Sequence, residues 1–198
     1  MSTELPEHAK GNPSVAAQQA GELQTSSPLP SASRVSDIQQ ALWQFSLAFY
    51  PKQQSLLLRL QDELAAQVNV ILAICWLVTQ QRQLNSAQLQ NCLAQIATTQ
   101  QTLIQPLRNI RRSLTPKTLH FKAELLALEL KAEQQEQAEI AAYLAENWPH
   151  FTETNAAIAP VQRYLTSLAR KTALTDSAPV DLDQAIASYL KSNSHSLI

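Results

Sequence analysis

Only two glycines, Gly11 and Gly21, occur in the 198 residues. Everything after Gly21 must fold without the one residue that takes a positive φ at no steric cost. Phosphate loops and dinucleotide fingerprints depend on glycine, because backbone amides must approach a pyrophosphate with no Cβ in the way. The nucleophile elbow of the serine hydrolases carries a similar steric demand. The common nucleotide-binding and hydrolase frameworks are therefore excluded.

The chain has the length and balance of one globular domain, with 45% hydrophobic and 16% charged residues and a net charge of −1. No global field attracts nucleic acid or a membrane. The longest apolar run, Val68 to Val78, contains Asn69 and falls well short of the about 20 residues a bilayer needs. It reads as a buried helix, with no membrane association. The N-terminal stretch MSTELPEHAK has acids at Glu4 and Glu7 and no apolar segment, so no secretory signal is expected. Cys75 and Cys92 are the only cysteines and have no metal-like spacing. A cytoplasmic, reduced location follows as the expectation.

Hydrophobic spacing predicts an all-α fold, a compact multi-helix bundle of about six to seven helices behind a disordered N-terminal arm. Residues 1–35 carry Pro6, Pro13, Pro28 and Pro30, both glycines and no sustained apolar period, which defines the arm. The helical domain spans 36–198. Ser36 and Gln39 form a capping box for a helix over 37–49, which Tyr50-Pro51 ends before a second helix over 51–66. An apolar helix over about 67–83 takes the centre. Asn85 and Gln88 cap the next, which continues to about 113 with a kink at Pro106. Thr115 and Pro116 open a long helix over 116–146. Weaker helices follow at 154–171 and at 182–191, the latter capped by Asp181 and Gln184. No sheet is expected.

Several segments resemble a known family. Trp43, Phe45, Ser46 and Tyr50 match an aromatic-x-Phe-Ser-x-x-x-Tyr opening. Asp62, Val68-Asn69 and Trp76-Leu77 follow in order, then Leu107, Arg108, Arg111 and Arg112, then a glutamate block from Glu129 to Gln137. Together, over about residues 40–145, they resemble a family of small, mostly gammaproteobacterial helical proteins catalogued as a domain of unknown function. The chain departs from that pattern in lacking glycines after Pro51 and just before Val68. The resemblance implies an all-helical cytoplasmic protein and no particular activity.

Charge is strongly segregated. No acid lies between Glu63 and Glu124, a window that holds Arg82, Arg108, Arg111, Arg112, Lys117 and Lys122. From Glu124 to Glu153 seven glutamates face one lysine, Lys131. Arg108, Arg111 and Arg112 share a helix face, and with Lys117 and Lys122 make a candidate contact for an anion or a partner. The competing reading is structural: the cations complement a helix C-terminus, or pair across an antiparallel hairpin that sets Arg108 near Glu124. Trp43, Asp62, Asn69 and Trp76 form a candidate buried polar cluster, with Asp62 or the Trp43 indole as partner for Asn69. Glu129, Glu133 and Glu136 read as a solvated helix face and a candidate acidic partner surface. None of His8, His120, His150 and His195 follows a Glu at three residues, so no di-iron pattern, no other metal site and no cofactor is expected.

The leading functional reading is a non-enzymatic interaction or regulatory protein, through a protein partner or self-association, with no catalytic residue assigned. The first alternative is binding of an anionic small molecule, such as a phosphometabolite, by a bundle pocket that could be enzymatic. The second is nucleic-acid binding through the region from Arg108 to Lys122, which lacks the interleaved aromatics that stack bases.

Overall fold

The apolar run lies at the centre of the molecule. In the computed structural model, which describes residues 32–152, 158–168 and 173–193, every residue from Val68 to Val78 is buried. A helix apolar on all sides has no face to offer water, so its neighbours must surround it. Helix α1 (Ala32–Leu64), the central α2 (Val68–Thr79), α3 (Ser86–Thr99), α4 (Gln105–Arg112), α5 (Lys122–Glu146), α6 (Ile158–Ser167) and α7 (Ala173–Asn193) form an all-α bundle. Helix α1 packs along both α2 and α5, while α6 and α7 close the far side of α2.

Helix α1 is continuous where two helices were expected. It passes through Pro51 because Phe45 and Phe49 before it, and Leu57 and Leu60 after it, all enter one core. Pro51 and Leu47 are exposed, so the carbonyl that loses its amide partner faces solvent. Packing on both sides offsets the interior proline, at about 3 kcal/mol. Residues 32–35 are already helical, so Ser36 lies inside α1 and forms no capping box. The remainder of the expected arm, 1–31, lies outside the described residues.

The scarcity of glycine shows at the helix ends. The described residues contain two non-glycine positions with positive φ, Ala65 at 56° and Gln81 at 53°. They follow α1 and α2, where glycine is the favoured residue. Ala65 makes the left-handed turn between α1 and α2 without a glycine.

Asn85 and Gln88 form the expected reciprocal cap at the start of α3. Helices α3 and α4 make one rod, interrupted by a π-helical turn at Gln100–Ile104. Pro106 has no amide for the carbonyl of Thr102 and its ring crowds that carbonyl. The wider turn, with Gln105 N–H bonded to the Gln100 oxygen, absorbs both problems.

The long helix expected from 116 starts later. Thr115 and Thr118 bond to each other in a turn, a 3-10 turn spans Leu119–Phe121, and α5 begins at Lys122. A two-stranded antiparallel ladder, β1 (Arg82–Gln83) with β2 (His150–Phe151), corrects the expectation of no sheet. The helix expected at 154–171 is α6, and residues 153–157 and 169–172 lie outside the described part. Helix α7 starts at Ala173 and contains Pro179, so Asp181 and Gln184 lie within it and cap nothing.

Candidate functional site

The turn at 113–121 reverses the chain and lays α5 antiparallel along α4 and α3. Its length sets the register. Arg108 Nη2 donates to Glu133 Oε1 at 2.8 Å, and Arg111 Nε donates to Glu129 Oε1 at 2.6 Å. Farther along, Thr99 Oγ1 donates to Glu139 Oε1 at 2.7 Å. The expected pairing of Arg108 with Glu124 does not form, because the turn consumes more chain than a tight hairpin. Arg112 pairs instead with Asp62 at the end of α1. That pair is exposed on both sides, and such pairs contribute little.

The glutamates therefore do not form the solvated face expected of them. Glu129 is 5% exposed and Glu136 2%, while Glu133 is partly buried on Arg108. Arg108 is itself buried at 5% exposure. A buried ion pair roughly offsets its own desolvation, but loss of either partner leaves a lone charge in the interior. Lys117 and Lys122 stay exposed at the turn and take no part in this ladder.

A second hydrogen-bond network continues inward from the ladder. Asn69 Nδ2 donates to Glu136 Oε2 at 2.7 Å and to the Glu133 carbonyl at 3.3 Å. Gln137 Nε2 donates to Asn69 Oδ1 and to Ser46 Oγ, each at 2.9 Å, and Ser46 Oγ donates to the Leu42 carbonyl. So Asn69 finds its partners on α5, and neither Asp62 nor Trp43 serves it. Trp76 packs against Trp148 with ring centroids 6.1 Å apart, away from this network. Of the expected polar cluster, the structure places Trp43 and Asn69 together along one cleft and Asp62 and Trp76 elsewhere.

Burial is the main influence on the Glu136 carboxyl. It pushes the group up to about 7, helped by Glu133 and Glu139 and opposed by the Asn69 hydrogen bond and Arg108. Its Oε1 has no hydrogen-bond partner, nor has the Gln137 side-chain oxygen. Burial also raises the Tyr50 hydroxyl, with Glu133 adding to it. Cys75 and Cys92 are buried thiols. Burial drives both upward, Cys92 to about 12, which makes them packing groups and poor nucleophiles.

A cleft opens between α1 and α5 beside the network. Its inner chamber, about 180 Å³, is lined by Trp43, Tyr50, Leu72, Asn69, Arg108 and Glu133 among others. An outer section of about 420 Å³ is lined by Ser36, Gln39, Gln40, Trp43, Gln134 and Gln137. Gln39, Gln40, Gln134 and Gln137 are not among the candidate site residues read from the sequence. Their signal is present there: Ser36, Gln39, Gln40 and Trp43 recur at i, i+3, i+4 and i+7, which is one face of a helix.

Helix α5 presents a second feature at its N-terminal half. Leu126, Leu128 and Leu130 are 45%, 49% and 46% exposed, while Glu129 among them is buried. Ile110 and Leu128 belong both to a groove with Leu103 and Leu107 and to one with Phe121 and Leu125. The apolar surface is therefore continuous along the α4–α5 tip. Among the described residues no group of three or more His, Cys, Asp or Glu gathers for a metal ion. No described helix is long and apolar enough to cross a membrane.

Fold and site together define an all-helical bundle protein with a buried Arg–Glu ladder and a cleft between its two longest helices. The chain belongs to the family designated DUF2390, proteins of unknown function, whose model matches residues 41–140. That span contains the ladder and its network and leaves out α6 and α7. No curated protein and no solved structure matches the chain.

Proposed function

We propose that this is an interaction protein that acts by contact, with the α4–α5 tip as its docking surface. The observation that carries the reading is the exposed apolar surface of Leu103, Ile110, Phe121 and Leu128 at that tip, beside the buried Glu129. A helix that turned leucines to water and charge inward with no further purpose would forfeit burial of about 1.5–3 kcal/mol per side chain. Exposed, contiguous apolar surface with a polar rim is characteristic of a contact site.

The rim selects the partner. Lys117, Lys122 and Lys131 are exposed around this surface, against the single acid Glu124 in its lining. A partner helix with leucines at i, i+3, i+4 and i+7 and glutamates on its flanks satisfies both the groove and the lysines. Arg108 and Arg111 are committed to Glu133 and Glu129, so neither the phosphometabolite reading nor the nucleic-acid reading gains them as available cations. Cytoplasmic residence is part of the same proposal, supported by two cysteines that are buried as separate thiols.

The test uses the full chain and two labelled helical peptides with the same leucine stripe, one flanked by glutamates and one by lysines. Saturable anisotropy with the acidic peptide alone, lost in the exposed-site variant Leu128→Glu, supports the proposal. Equal binding of both peptides, or of neither, overturns it. Light scattering that shows a dimer abolished by Leu128→Glu also overturns it, in favour of a second copy as occupant.

A further inference from the structure

The cleft between α1 and α5 shares no lining residue with the two grooves of the α4–α5 tip and has its own chemistry. Trp43 and Gln137 line both of its sections, so inner chamber and outer section form one site with a change of character at that point. Inside, Leu47, Tyr50, Val68, Leu72 and Leu130 give an apolar and aromatic lining. Outside, Ser36, Gln39, Gln40 and Gln134 offer only neutral hydrogen-bonding groups.

Charge decides what can enter. The two ionised groups on the wall, Arg108 and Glu133, hold each other at 2.8 Å. A ligand carboxylate or phosphate would meet Glu133 beside Arg108, and an ammonium would meet Arg108 beside Glu133. Either would give up its water without gaining an uncompensated counter-ion. Volume sets the rest: an apolar cavity of about 150 Å³ accepts one benzene ring, and the inner chamber is about 180 Å³.

We propose that this cleft is a binding site for a small uncharged amphipathic molecule, with a single apolar ring in the inner chamber and an amide- or hydroxyl-bearing end among the glutamines. Trp43 stands at the junction and reports occupancy. Trp76 and Trp148, packed edge to face with centroids 6.1 Å apart, do not line it and serve as internal controls.

Benzamide and benzyl alcohol, with benzoate and benzylammonium as charged matches, are the probes, read by the three tryptophan indole N–H signals in nitrogen-15 spectra of the full chain. The neutral probes shift the Trp43 signal saturably and leave the other two in place, and the charged probes bind about tenfold or more weakly. Leu47→Trp fills the inner chamber from an exposed position and removes the shift, with the fold checked by the unchanged Trp76 and Trp148 signals. Equal binding of charged and neutral probes overturns the proposal. So does absence of a saturable Trp43 shift, or a shift that persists in Leu47→Trp.

Discussion

Replacement of Glu136 by Gln removes one titration from the core and should flatten the pH dependence of stability. The Glu136 carboxyl is 2% exposed, accepts one hydrogen bond from Asn69 and leaves Oε1 unpartnered. Burial raises it in the folded chain from the ordinary 4.5 to about 7. The folded state thus holds the proton more tightly than the unfolded one. The associated stability is fully present below about pH 4.5 and is lost as pH rises through about 7. At about 1.36 kcal/mol per tenfold, the loss is about 3 kcal/mol. Urea unfolding of wild type and Glu136→Gln from about pH 5 to about pH 8 measures it, because the other titrating groups are common to both chains and cancel in the difference. The difference between the curves should change by about 3 kcal/mol across that window, in favour of the variant at the alkaline end. Parallel curves would refute the reasoning, since they would mean that Glu136 ionises in the folded chain as it does in the unfolded one.

The ladder gives a second expectation. Arg111→Met strands the Glu129 carboxylate and should cost about 3–5 kcal/mol in denaturant unfolding, while Arg111→Met with Glu129→Leu should recover most of it. Ala65→Gly should stabilise the chain by about 1 kcal/mol, seen as a higher midpoint, because Ala65 carries a positive φ of 56° that costs an L-residue about 1–2 kcal/mol. The native thiols Cys75 and Cys92 should resist a disulfide reagent near neutral pH and react only when the chain unfolds. Rapid labelling of either in the folded state would show that its burial is not maintained.

What the sequence disclosed followed from local rules. The run from Val68 to Val78 needed no partner information to be read as the centre, and the Asn85–Gln88 cap is a relation within four residues. The register of α5 on α4 was not legible, because it depends on how much chain the 113–121 turn consumes. That turn uses Thr115 and Thr118 on each other instead of opening a helix at Pro116. A shift of this kind moves the partner of Arg108 from Glu124 to Glu133, and turns glutamates that look solvated into buried ones. Pro51 misled for a related reason. Its local preference for a helix start is outweighed by Phe45, Phe49, Leu57 and Leu60 entering one core on both sides of it. The glutamine-lined cleft was visible only as a spacing, and nothing local says which helix face will meet another.

The ladder and the exposed leucines are two consequences of one constraint. On a helix, a residue buried at 129 turns its neighbours at 128 and 130 to either side of the same interface, since successive positions are rotated by about 100°. Had α5 turned Leu128 toward α4, Glu129 and Glu133 would have faced water, and Arg108 would have been left buried without an anion. The cost of that lone charge, several kcal/mol, exceeds the gain from covering the Leu128 side chain, about 1.5–3 kcal/mol. The acid-free stretch from Leu64 to Ala123 sharpens the choice, because it supplies no nearby carboxylate to replace them. Arg108 and Arg111 thus act as positioning residues for the apolar surface. The Arg111→Met, Glu129→Leu double variant then has a second readout: it frees α5 to rotate Leu128 inward, and the acidic peptide should lose its binding site even though stability is recovered.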